Sequence, residues 1–258
     1  MTENESKNFK KPLPKITAVH YFRLCYRSLL FAGALVIYIL TRFFSSDIGT
    51  RHKNLNLIIS AIIWVIYIAE MAFRFFPSSF ESMGCQKMFA KNFVSTGKPY
   101  RRPEIKPSHP ALRVAVLWIA ANAVIDALYL TKVIDRGVMF LLVFLYGIGD
   151  MVCVLFFCPF QTILMKNKCC AGCRIYNWDY AMMFTPFILL PGLFTWTLLG
   201  AAIALLIRWV VAFARHPERF SEVSNASVKC ENCKEKLCSH KKQLQSYLVK
   251  YNRYFKDV

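Results

Sequence analysis

Acidic side chains are scarce in this sequence, since 15 Asp and Glu residues stand against 33 Lys and Arg among 258 residues. Even so, 56% of the residues are hydrophobic. A soluble α/β domain would scatter its apolar residues in short strands and amphipathic stripes, whereas here they form runs of roughly 18 or more residues. The pattern excludes such a domain. It predicts an all-α fold, a polytopic transmembrane helical bundle whose apolar surface lies in the lipid bilayer.

Histidine is also scarce, and the five copies lie outside or at the ends of the apolar runs. Paired axial ligands for a haem inside the membrane are therefore absent, which excludes a cytochrome b role. The net charge of +18 accompanies no recognition helix or nucleic-acid-binding motif, so no nucleic-acid partner is expected. No small-residue cleavage site follows the first apolar run, which is therefore expected to be a retained signal anchor.

Five apolar stretches define the predicted bundle. Four of them have the length of one crossing of a hydrocarbon core about 30 Å thick, at residues 27–44, 55–76, 111–131 and 137–157. The fifth, 181–213, would reach about 50 Å as one helix and is too long for a simple crossing. Pro186 and the Pro191-Gly192 pair interrupt it, because proline removes a backbone donor and glycine lets the chain turn. We expect 174–213 to make an even number of crossings, as a re-entrant hairpin or as two spans.

The basic residues predict which loops face the cytoplasm. The sequence divides into a basic N-terminal segment (1–26), the bundle (27–213) with a basic loop (77–110) and a cysteine-rich loop (158–180), and a tail (214–258). The loops on the opposite side carry only five Lys and Arg. Because short basic loops prefer the cytoplasm, both termini are expected there, in a protein integral to a prokaryotic plasma membrane.

The basic segments also predict partners. Lys and Arg at the inner membrane surface attract anionic lipids of that leaflet. In the tail, apolar and basic residues between 241 and 255 recur at helical spacing. This pattern is typical of an amphipathic helix lying on the inner leaflet, and it equally fits a helix that docks on a partner protein.

Seven of the ten cysteines fall in two clusters, both on the predicted cytoplasmic side. The loop cluster consists of Cys158, Cys169, Cys170 and Cys173, and the tail cluster consists of Cys230, Cys233 and Cys238 with His240. Cytoplasmic thiols stay reduced, so these groupings indicate metal or redox chemistry rather than disulfides. The remaining three, Cys25, Cys85 and Cys153, are expected to be small buried apolar residues.

The two clusters favour different cofactors. Three thiolates and one imidazole suffice for a tetrahedral zinc site, so the tail cluster favours zinc. Four thiolates favour an iron–sulfur cluster in the loop, although the spacing matches no standard ferredoxin. A hairpin at Pro191-Gly192 would bring both clusters to one face of the bundle, where they form one shared site or two neighbouring ones.

Polar residues within the apolar runs are candidates for a functional path, because a charge near the bilayer centre costs at least about 2.5 kcal/mol. Glu70 and Arg74 are four residues apart, a spacing that predicts an ion pair within one helix. Asp126 lies toward the outer end of its run, where exposure at the interface accounts for it. Asp150 lies deeper, between small residues that would let another helix approach with a partner.

Three functions fit these features. The leading one is electron transfer, in which an iron–sulfur cluster exchanges electrons with a membrane quinone or a partner protein while Asp150 and Glu70 handle protons. The second is transport of a soft metal such as zinc or copper, which thiolates prefer as ligands. The third is a membrane scaffold or sensor in which zinc only fastens the tail to the loop. Whether the protein is an enzyme stays open.

Overall fold

The computed structural model describes residues 15–43, 53–97, 109–166, 169, 171–233, 235 and 237. Within these ranges the chain forms helices and no strands, apart from an isolated antiparallel bridge between Ser95 and Asn225. The α-helices are α1 (Lys15–Phe43), α2 (Lys53–Phe75), α3 (Met83–Gln86), α4 (His109–Leu130), α5 (Arg136–Leu155), α6 (Asp179–Met183) and α7 (Leu193–Arg215). Five of them, α1, α2, α4, α5 and α7, are long and apolar enough to cross a membrane. The predicted all-α class is confirmed.

Helix α1 begins twelve residues before the first predicted span. Its early turns bury Thr17, His20, Arg23 and Arg27, which recur at three- and four-residue spacing and therefore share one helical face. Because this buried face is polar, hydropathy alone does not reveal that these turns pack inside the protein. The predicted N-terminal segment thus contributes its last twelve residues to α1.

The core of the bundle lies between α2, α5, α6 and α7. Its buried residues are Tyr67, Met71, Met139, Val143, Tyr180, Met183, Phe184, Phe187, Leu190, Leu198, Ala202 and Leu205. Large apolar side chains also cover the outside of the long helices, including Leu29, Ile119 and Leu193, which are 73%, 65% and 77% exposed. An apolar exterior of this extent is typical of a surface that meets lipid.

The fifth apolar stretch is broken as predicted. Its first part consists of α6 and a 3-10 helix (Thr185–Leu189), and α7 starts directly after Pro191-Gly192. Near the other end of α7, the indole of Trp209 donates a hydrogen bond to the carbonyl oxygen of Arg174, 2.8 Å away. The end of α7 therefore lies beside Arg174, the residue at which the predicted hairpin segment 174–213 begins.

Three segments close one end of the bundle, and we call the described parts of 76–97, 156–178 and 216–237 the cap. The ammonium group of Lys87 is fully buried there and donates to the carbonyl oxygens of Ala171 and Cys173, at 2.6 and 3.0 Å. The backbone of Ala226 donates to the carbonyl oxygen of Val94 at 2.7 Å. These contacts join the basic loop, the cysteine-rich loop and the start of the tail.

Candidate functional site

Buried charged side chains form an alternating chain of ion pairs at the junction between the bundle and the cap. In order, its members are Asp150, Arg27, Glu70, Arg23, Glu81, Arg74 and Asp179. The first guanidinium, that of Arg27, has no exposed surface and lies 3.1 Å from Asp150 and 3.0 Å from Glu70. This ion-pair chain therefore begins by linking α1 to both α5 and α2.

The remaining links of the ion-pair chain run into the cap. Arg23 Nε lies 2.7 Å from Glu70, and the same guanidinium donates to Glu81. Arg74 then lies 3.3 Å from Glu81 and 2.5 Å from Asp179. Burial alone would raise the pKa of Glu81, but the guanidinium groups of Arg74 and Arg23 hold that pKa below its usual value. Glu81 is thus an ionised carboxylate that joins two helices to the cap.

With all seven groups ionised, the ion-pair chain has a formal excess of one negative charge. Three guanidinium cations face four carboxylates, and each guanidinium bridges two of them. Among the described residues, the inner carboxylates Glu70 and Glu81 have two cationic partners each, whereas the terminal Asp150 and Asp179 have one each. The uncompensated negative charge is therefore associated with the two ends.

The structure revises the predicted roles of the intramembrane polar residues. The predicted pairing of Glu70 with Arg74 is wrong, because both side chains bind partners on other segments instead. Asp150 does meet a partner from a neighbouring helix, and the carbonyl oxygen of Gly147 also accepts from Arg27, at 3.0 Å. Asp126 is half-buried near the end of α4 and is not a member of the ion-pair chain.

Sequence reasoning missed Arg23, Arg27 and Glu81 as members of this site. Basic residues before an apolar run are expected to mark the cytoplasmic side, and this rule assigns Arg23 to the predicted basic N-terminal segment, 1–26. A usable signal was present, because Arg23 and Arg27 are one turn apart on the same face as Thr17 and His20. A polar stripe at helical spacing beside an apolar run predicts partners inside the protein.

A cavity of about 490 Å³ lies between α4, α5, the cysteine-rich loop and α6. Asp150 and Asp179, the two ends of the ion-pair chain, both line it. Most of the remaining described wall is apolar, and it includes four aromatic side chains, Trp118, Tyr146, Phe160 and Tyr176. The ring centroid of Trp118 lies 4.7 Å from that of Tyr146 and 6.2 Å from that of Phe160.

The cysteines of the loop cluster divide between two places. Cys158 and Cys173 line the cavity, together with the isolated Cys153. Cys169 is buried against Val228 of the tail, and its thiol is in hydrogen-bonding contact with that of Cys230. The proximity of Cys169, partial burial and the nearby Cys233 raise the pKa of Cys230. One cysteine of the loop cluster and one of the tail cluster are therefore neighbours.

The predicted metal ligands are only partly described. Among the residues that the structure describes, no group of three or more His, Cys, Asp or Glu side chains is arranged to hold a metal ion. Cys170, Cys238 and His240 lie outside the described residues, as does the predicted amphipathic helix of the tail. The iron–sulfur and zinc assignments therefore stay predictions.

The isolated cysteines have three different environments. Cys85 is buried, donates to the carbonyl oxygen of Ser82 at 3.1 Å and lies 3.5 Å from the carboxylate of Glu81. Burial raises the pKa of this thiol well above its usual value, so it behaves as the expected inert residue. Cys153 is half-buried at the cavity, whereas Cys25 lies on the exposed outside of α1, so its predicted burial is wrong.

Comparison with known proteins offers no template for this site. No family model matches the chain, and no curated protein or solved structure matches it with significance.

Proposed function

We propose that this is an integral membrane protein in which one thiolate metal centre, shared by the cysteine-rich loop and the tail, fastens these two segments of the cap to each other. The contact between Cys169 and Cys230 carries this proposal. Thiols of the cysteine-rich loop and of the tail are thus neighbours, although these segments are about 60 residues apart in sequence. A closed tetrahedral centre needs four ligands, and Cys170, Cys238 and His240 follow closely enough in sequence to complete it.

Zinc is the metal that best suits a centre of this kind. A single ion needs only four ligands, it accepts mixed cysteine and histidine sets, and it supplies folding energy when it joins segments. The tail meets the rest of the protein through polar contacts nearby, since the hydroxyl of Thr17 donates to the backbone carbonyl of Glu235 at 3.1 Å. A zinc ion would add a strong link at the same edge of the cap.

The proposal includes an orientation. With the cap in the cytoplasm, both termini lie there, and α6 with the following 3-10 helix forms a re-entrant limb before α7. Lys87, Lys91, Arg174 and Arg219 all belong to the cap, which agrees with the preference of basic residues for the cytoplasm. A membrane-impermeant maleimide should label a cysteine placed at position 250 only in inverted vesicles of a prokaryotic plasma membrane. Labelling in intact cells would reject this orientation.

Metal analysis of the full chain tests the centre directly. Protein purified anaerobically without chelator should contain about one zinc per chain and be colourless, because zinc has a filled d shell. Cys169→Ser and Cys230→Ser should each lower the zinc content, and Cys25→Ser, on the exposed face of α1, should leave it unchanged. Metal-free wild-type protein would reject the proposal, as would serine variants that retain their full zinc content.

A redox centre is the second candidate, and the position of the loop favours it. Cys173, which lines the cavity, is four residues from Cys169. Their α-carbons are therefore separated by at most about 14 Å of extended chain. A cluster at Cys169 could exchange single electrons with a quinone in the cavity or with a partner protein. This candidate requires iron and acid-labile sulfide in place of zinc, with a brown colour that dithionite bleaches. Iron-free protein excludes it.

A further inference from the structure

We propose that the cavity binds a lipophilic organic monocation, namely a quaternary ammonium or phosphonium ion or a protonated amine with apolar substituents. Asp150 and Asp179 would hold its charge and the aromatic wall its body. This inference is independent of which metal the loop and tail bind. It rests on three properties of the described wall: its charge, its aromatic side chains and its size.

The ion-pair chain provides the charge that would attract a cation. With all seven groups ionised, its formal excess of one negative charge is associated with Asp150 and Asp179, which have one described guanidinium partner each and face the same cavity. Their side chains are only 16% and 10% exposed. A net charge in low-dielectric surroundings is unfavourable until a counter-charge neutralises it. A monovalent cation in the cavity would restore balance to all seven groups.

The wall selects an organic cation over a metal ion. Trp118, Tyr146, Phe160 and Tyr176 present aromatic rings to the cavity, and aromatic faces attract cations through their quadrupoles. A hard divalent ion would need about six oxygen ligands, whereas the two carboxylates here already accept bonds from Arg27 and Arg74. An anion would be repelled, because the described residues of the wall include two carboxylates and no guanidinium group.

The size and adaptability of the cavity suit an apolar body. Its volume of about 490 Å³ falls within the roughly 300–1,000 Å³ that is typical of small-molecule sites. Met182 and Met183 also line it, and methionine side chains adjust to ligands of different shape. The geometry therefore fits a bulky cation with several apolar substituents better than a small ammonium ion.

Tetraphenylphosphonium is a suitable probe, with tetraphenylborate as an anion of nearly the same shape. Titration calorimetry of the purified full chain in detergent should show one saturable site for the phosphonium. Asp150→Asn and Asp179→Asn should each weaken binding roughly tenfold or more, as expected when one charge contact is lost. Asp126→Asn removes the same charge from a spanning helix at a position that does not line the cavity and should change binding far less.

A further variant tests the cavity without changing either aspartate, in case the aspartate variants do not fold. Gly149 lines the cavity, and a Cβ added there meets no atom within 4 Å. Gly149→Leu should therefore fill the cavity and abolish binding in a folded protein. Gly200 on α7 is equally open and does not line the cavity, so Gly200→Leu is its matched control.

Each outcome decides the proposal. It is supported if the phosphonium binds, the borate does not, and Gly149→Leu removes binding while Gly200→Leu keeps it. Equal affinity for both ions would overturn it, because the cavity would then recognise shape without charge. Phosphonium binding that survives Gly149→Leu would place the ligand elsewhere and also overturn it. Zinc and iron measured in the same samples report on the metal centre separately, so failure of one proposal is distinguishable from failure of the other.

Discussion

The guanidinium of Arg27 in α1 lies 3.1 Å from the carboxylate of Asp150 in α5, although 123 residues separate the two in sequence. The same guanidinium donates to the carbonyl oxygen of Gly147 and to Glu70. A fully buried cation requires such a set of acceptors, since its desolvation otherwise outweighs any single ion pair. One side chain thereby determines how three long helices pack.

Replacing this cation tests the ion-pair chain. Arg27→Gln should destabilise the protein by about 3–5 kcal/mol, because Glu70 loses one of its two cations and Asp150 loses its guanidinium partner while both stay buried. Arg27→Lys should also destabilise, since one compact ammonium cannot reproduce the fork that reaches three acceptors. Thermal unfolding in detergent, followed by tryptophan fluorescence, measures the loss. Arg42→Gln, exposed at the far end of α1, is the control and should change stability by at most about 0.5 kcal/mol.

Gly84→Ala should weaken the cap. A Cβ at Gly84 would lie 2.7 Å from ring atoms of Tyr176, so the short helix α3 would have to move away from the cysteine-rich loop. Overpacking of this kind costs about 1–3 kcal/mol, which the same melting experiment detects. In the double variant with Tyr176→Leu most of that loss should disappear. Gly33→Ala, where no atom lies within 4 Å, should be neutral or slightly stabilising, and equal losses in both variants would refute the steric explanation.

The sequence allowed the helical class, four spans and the break at Pro191-Gly192 to be predicted, because each depends on local chemistry. An apolar run of about 20 residues or a proline beside a glycine is informative wherever the chain goes. The start of α1 was not predictable in the same way. Its first turns bury a polar face, so hydropathy places the boundary at Arg27 instead of Lys15.

The candidate site was less predictable because its contacts are long-range. Glu70 and Arg74 satisfy the local rule for an ion pair, but tertiary partners outcompete that rule. The cavity depends on how Asp179, near the end of the cysteine-rich loop, comes to line the same space as Asp150, and no local pattern determines this. The meeting of Cys169 with Cys230 followed from one local feature, the chain reversal after Leu190.

Glu235 should make stability depend on pH. Burial raises the pKa of this carboxyl, despite hydrogen bonds from Ser82 and the backbone of Met83. A raised pKa means that the folded state holds the proton more tightly than the unfolded state. Protonated Glu235 therefore makes its full contribution to the free energy of unfolding below the ordinary pKa of 4.5, and this contribution declines as pH rises. The stability of Glu235→Gln relative to that of the wild type should therefore increase as pH rises above that value.

For Glu81 the dependence of stability on pH has the opposite sign, so this residue serves as the comparison. Its pKa is held below the ordinary value, so its contribution is present above pH 4.5 and is lost as pH falls through the folded pKa. Glu81→Gln should be less stable than the wild type at neutral pH, with the gap closing in acid. Melting temperatures measured across the acidic and neutral range separate the two slopes. Parallel curves for both variants would show that neither burial nor the arginines control these carboxyls.

Thiol labelling should distinguish a metal ligand from an inert cysteine. Cys85 is buried and its pKa is raised well above the usual value, so maleimide should modify it only after unfolding. Cys230 is exposed, but a bound metal would occupy its sulfur. A chelator should therefore speed the labelling of Cys230 several-fold and leave Cys85 unmodified, as peptide mass spectrometry would show. Identical rates at Cys230 with and without chelator would mean that this sulfur binds no metal, and the contact with Cys169 would then be a pairing of two thiols.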